Sequence, residues 1–157
     1  MAQRRCGAPV RRRARAGALF IFALLVSCDD VPGVESGPRT LELANDTIRL
    51  EQGVTLVEVE VRRAADGDFE PAAVEAQTGD VVRFAAADNG GHAIVFESTA
   101  LAADAREWLE RTGQMRSPPL ITSGSAWVVT LDGAPPGDYP FLCSTHSARG
   151  RLTVRAR

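Results

Sequence analysis

A chain of 157 residues is long enough for one domain with a real core but not comfortably for two. It contains no lysine, and all 20 of its acids lie after position 28 against twelve of its 18 arginines, so that part carries about −8. A negative domain of this size repels nucleic acid and anionic lipid headgroups, which argues against DNA or RNA as partner and for a basic partner surface.

The first 27 residues differ from everything after them. Six arginines (Arg4, Arg5, Arg11, Arg12, Arg13 and Arg15) and no acid precede an apolar run at 18–26. A basic start followed by a short apolar stretch is the layout of a secretory signal, too short to span a membrane. The run ends in Leu25-Val26-Ser27-Cys28, which resembles the bacterial lipobox. That resemblance implies cleavage before Cys28 once its sulfur carries a diacylglycerol, and an exported protein held at a bacterial membrane, facing the periplasm or the cell exterior. Residues 29–38 are rich in Pro, Gly and Ser and lack an apolar period, so they read as a tether. The expected organisation is a signal peptide at 1–27, a lipidated Cys28 and flexible tether through 45, and a single domain over 46–157.

Within that domain the signals are mostly β. Residues 55–62 alternate apolar with polar, as a strand with one buried face does. A turn at 65–68 leads to a strand at 73–76, a Thr78-Gly79-Asp80 turn and a strand at 81–85. Asp88-Asn89-Gly90-Gly91 turns the chain into a strand at 92–96, and further strands fall at 125–131, 138–143 and 150–154. Short strands separated by Gly and Pro turns predict an all-β sandwich or barrel. Residues 100–113 break the pattern with helix formers. Leu101, Ala105, Trp108 and Leu109 would line one side of a short helix lying on the sandwich, with Thr99 as its cap and Gly113 as its stop. Trp108 and Trp127 are expected in the core.

The chemistry-bearing residues are few. The chain has two histidines, His92 and His146, and three cysteines. With Cys6 lost in the signal and Cys28 on the lipid, Cys143 is left alone, and a lone thiol in an exported protein needs a reason such as metal ligation. One thiolate with two imidazoles suits copper in both oxidation states. A structural zinc would want a fourth protein ligand, and no further Cys or His exists to supply it.

The segments 78–84, Pro135 through Cys143, and 150–154 are similar to those of the cupredoxin family of plastocyanin, amicyanin and azurin, over roughly residues 54–156. The resemblance implies a Greek-key β-sandwich and one copper ion, Cu(I)/Cu(II), on His92, Cys143 and His146. It also implies one-electron transfer to a redox protein partner rather than an enzyme activity, with His146 on the partner-facing side. A monomer is expected.

One departure stands out. Family members place a methionine soon after the second histidine, where this chain has Ser147-Ala148-Arg149-Gly150-Arg151. The axial position is left to water, to the Gly91 carbonyl, to Met115 or to nothing. Two other functions stay open: a copper carrier, although carriers tend to be rich in Met and His, and a small redox enzyme with an open copper position like the relative nitrosocyanin. Arg149 and Arg151 flank the site and are expected to be solvated.

Overall fold

The computed structural model describes residues 39–43, 46–63 and 69–157. The signal segment, Cys28, residues 29–38 of the expected tether and the turn at 65–68 lie outside the described residues. Among the described residues the order is β1 (Arg39–Leu43), β2 (Asp46–Leu50), β3 (Leu56–Val61), β4 (Phe69–Glu70), β5 (Ala73–Gln77), β6 (Val81–Ala86), β7 (Ile94–Phe96), α1 (Ala103–Arg111), β8 (Ala126–Thr130), β9 (Gly137–Cys143) and β10 (Arg149–Arg155).

Successive side chains of a strand point to opposite faces, so burial should alternate where one face meets a core. It does so in β9, where Tyr139, Phe141 and Cys143 are buried and the residues between them are not. Val74 and Ala76 of β5 and Leu152 and Val154 of β10 repeat the pattern. The strands form two four-stranded sheets, β5-β10-β9-β7 and β4-β3-β6-β8, with β1 and β2 paired as a separate ribbon. Each large sheet contains one parallel pair, β3 with β6 and β10 with β5. Between the inner faces Phe141 meets Phe69, Phe84 and Phe96 edge to face, with ring centroids 4.9, 5.1 and 6.2 Å away. That geometry sets the positive edge of one ring against the negative face of the next. The expected all-β sandwich with one short helix is what the chain forms.

The helix packs with the expected stripe: Ala105, Trp108 and Leu109 are buried, and Leu101 just ahead of them is too. Its start is a correction. The helix begins at Ala103 rather than near 100, and its cap position is Ala102, with no side-chain cap hydrogen bond, so Thr99 does not cap it. Residues 97–100 form a turn instead, closed by the Ala100 N–H on the Glu97 carbonyl. Gly113, with φ of 69°, takes the left-handed conformation that ends a helix cheaply only at glycine.

Three further differences concern strands and turns. No strand is expected before residue 55, yet β1 and β2 lie there; the Pro- and Gly-rich stretch before them masked the alternation of Leu41, Leu43, Ile48 and Leu50. The strand expected from 92 begins at Ile94, the register partner of Cys143 where β9 ends, and His92 pairs instead with Leu120 in an isolated bridge. The Thr78-Gly79-Asp80 turn also has a structural task. Asp80 is 3 % exposed, and its carboxylate accepts the Thr55 and Gln77 amides at 3.0 and 2.8 Å and pairs with the Arg157 guanidinium. A buried carboxylate is tolerable only with such partners, and this one ties β3, β5 and the end of the chain together.

Candidate metal centre

The site lies where β9 ends. Tyr139 and Phe141 set the inward parity of β9, so Cys143 is its last inward residue and is fully buried. The chain then turns tightly. The Cys143 N–H bonds to the Ala148 carbonyl at 2.8 Å, and the Ser147 N–H bonds back to the Cys143 carbonyl at 2.8 Å. Ser147 takes a positive φ of 62°, uncommon for a residue with a side chain, to make the turn close. His146 therefore folds back over the cysteine. On the neighbouring strand Ile94 is the register partner of Cys143, and the Ser144 N–H reaches the Ala93 carbonyl at 2.8 Å. His92, 1 % exposed, enters beside them at the head of the same segment.

These elements bring all three expected residues together. Cys143 Sγ lies 3.9 Å from His92 Nδ1 and 3.6 Å from His146 Nδ1, and one donor atom from each residue falls within 4.8 Å of the others. Two donors bound at about 2.0–2.3 Å to a common ion stand roughly 3.5–3.8 Å apart, so the donor set fits a single metal ion. His92 and Cys143 are buried and His146 is half-buried, so water is kept from two of the three donors.

The local electrostatics favour a thiolate. Burial pushes the Cys143 thiol up, but backbone hydrogen bonding from Ala93, Thr145 and His146 and the His92 ring outweigh it, and the net direction is down. Burial pulls His92 down, yet hydrogen bonds and charge from Asp88 and Cys143 carry it above its ordinary value. The Asp88 carboxyl is held far below the usual carboxylate range by the Arg63 amide, the His92 ring and the Gly90 amide.

Two features escaped sequence reasoning. Asp88 was legible only as a turn residue, although an acid four positions before a histidine is a signal. Leu120 exchanges backbone hydrogen bonds with His92 across an irregular segment that carries no strand pattern. Met115, a candidate axial ligand, packs against the core, with its carbonyl on the Phe96 N–H. Phe96 is four residues along from His92, about 13 Å at strand rise, so Met115 attaches at the other end of that strand. Arg149 is paired with Glu97 at 2.8 Å and is not simply solvated.

A two-sheet β-sandwich that brings buried His92 and Cys143 together with the half-buried His146 has the arrangement of a copper-protein class. The family of copper binding proteins of the plastocyanin/azurin type matches residues 56–155, and the chain belongs to it. No curated protein matches the sequence. Among solved structures, a purple cupredoxin from Nitrosopumilus maritimus is similar at 20% identity and a TM-score of 0.47, covering 63% of this chain and 99% of that one. Oxidised plastocyanin from Dryopteris crassirhizoma is similar at 20% identity and 0.47, covering 63% and 100%. The reduced Cu(I) form of an amicyanin mutant is similar at 19% identity and 0.47, covering 74% and 92%.

Proposed function

We propose that His92, Cys143 and His146 hold one copper ion and that the protein carries single electrons rather than catalysing a reaction. The observation that carries this reading is the three-donor group, with donor atoms within 4.8 Å of one another at the end of a rigid sandwich. The ion supplies a one-electron couple between Cu(I) and Cu(II). The residues supply the rest. Cys143 and His92 are held by backbone hydrogen bonds to Ala148 and Leu120, so little needs to move when the charge of the site changes. Burial keeps water from the thiolate, and His146, the least buried of the three, is the exit toward a partner.

The same reading places the protein outside the cytoplasm. Leu25-Val26-Ser27-Cys28 supports cleavage of a 1–27 signal and lipidation of Cys28, and the Pro-, Gly- and Ser-rich stretch at 29–38 supports a tether that ends before β1. A monomer anchored in this way would meet a redox protein at a membrane surface. The excess of acids over arginines after residue 28 favours a basic face on that partner and disfavours nucleic acid.

The test is a visible absorption and EPR spectrum during Cu(II) titration. An intense thiolate-to-copper band, absent in Cys143→Ser, is the expected result, and a protein that retains no copper and develops no band overturns the reading. Reversible bleaching by one electron equivalent separates electron transfer from a carrier, which would release the ion to a chelator within the same time.

A further inference from the structure

Residues 88–91 make more than a turn. Asp88 Oδ1 lies 2.8 Å from His92 Nε2, and the same oxygen accepts the Gly90 N–H at 2.7 Å. Its other oxygen accepts the Arg63 N–H at 2.7 Å, from the chain leaving β3. The carboxylate cannot rotate away from the ring without giving up both amides. A Cβ on Gly90 would stand 2.8 Å from Asp88 Oδ1 and 3.3 Å from His92 Nε2, so the glycine keeps open the space in which the two meet.

An ionised carboxylate only accepts hydrogen bonds, so His92 Nε2 carries the proton and Nδ1 presents its lone pair. Nδ1 is the atom 3.9 Å from Cys143 Sγ. A carboxylate behind a ligating imidazole fixes the ring and raises its basicity, which favours the more highly charged ion.

Resting on the copper reading above, we propose that Asp88 is a positioning residue. It fixes the tautomer and orientation of His92 and biases the site toward Cu(II), while its separate bond from the Arg63 amide ties the turn to the chain leaving β3.

The test compares the wild-type protein with Asp88→Asn, Gly90→Ala and Arg63→Pro. Asp88→Asn keeps the shape and removes the charge. Gly90→Ala wedges the pair apart with both partners intact, and serves if Asp88→Asn does not fold. Arg63→Pro removes the distant amide donor, together with the arginine side chain and the freedom of φ at that position. In the copper-free wild type, nitrogen NMR with the ring neutral should report His92 as the Nε2–H tautomer, and the first two variants should report a mixture. Their Cu(II) affinity should fall roughly 10–100-fold with Cu(I) affinity less changed. Each tenfold difference between the two states raises the potential by about 59 mV. Arg63→Pro should lower the unfolding midpoint and leave tautomer and potential alone.

The proposal is overturned if the Asp88 and Gly90 variants keep the wild-type tautomer and potential, or if Arg63→Pro shifts the potential as far as they do. A wild-type protein that binds no copper removes the copper reading. The copper-free spectra then still decide whether Asp88 sets the ring.

Discussion

His92 and Leu120 exchange both of their backbone hydrogen bonds, each at 2.8 Å. The Leu120 side chain is buried in the core, so a residue with no ligand atom clamps the loop that carries one. Leu120→Ala is expected to cost about 2–5 kcal/mol in urea unfolding, the range for a buried leucine, and to speed the loss of copper to a chelator. Ile121→Ala, one residue on and 64 % exposed, should change neither.

Gly150 lies opposite Phe141 in the β9–β10 pair. A Cβ there would run into the Phe141 ring and stand 2.9 Å from the Ala72 carbonyl. Because Phe141 is the hub of the aromatic core, the ring has nowhere to go. Gly150→Ala should destabilise the domain by about 1–3 kcal/mol through overpacking. Calorimetric unfolding of the copper-free protein checks this, and a midpoint equal to wild type would mean the ring is free to shift.

Tyr139 is fully buried, and its hydroxyl donates to the Pro135 carbonyl at 2.6 Å. Burial, with the charge of Asp104, pushes its pKa up to about 12. The folded value lies above the unfolded value of about 10, so the stabilisation is complete below pH 10 and is lost as pH rises toward 12. The loss is on the order of 3 kcal/mol. As the chain has one tyrosine, tyrosinate absorbance reports this residue alone, and it should rise together with unfolding rather than before it. Tyr139→Phe should flatten that part of the alkaline stability profile and cost about 1 kcal/mol at neutral pH.

Copper that binds only the folded chain stabilises it by mass action, about 4 kcal/mol at a thousandfold excess over the dissociation constant. His146→Ala removes a half-buried donor from a loop, so the copper-free protein should unfold within about 0.5 kcal/mol of wild type. The upward shift of the midpoint on adding copper should be largely lost. A thermal melt with and without metal separates the two effects.

The sequence was most readable where one periodicity governed a whole element. Alternation placed β3, and Gly and Pro turns bounded β5, β6, β9 and β10, each to within one or two residues, while the Leu101, Ala105, Trp108, Leu109 spacing placed the buried face of α1. The two histidines and Cys143 were legible through their rarity and their positions at strand ends. What was not legible depends on partners distant in the chain. Asp88 accepts a bond from the Arg63 amide, 25 residues earlier, and Leu120 pairs with His92 in a segment whose Pro118 and Pro119 hide any strand pattern. The helix start was misplaced because Thr99 has the chemistry of a cap while the turn at 97–100 had already taken up the local backbone bonds.

The position of β10 sets an order of assembly. Residues 149–155 lie inside their sheet, between β5 and β9, and Arg157 bonds to the Gly53 carbonyl 104 residues away. The sheet carrying Cys143 therefore cannot close over the core until the final strand has left the ribosome, and such long-range pairing is slow to form. Until β10 inserts, β5 and β9 have no common neighbour, so the half of the site that Cys143 supplies waits on a strand that carries no ligand of its own.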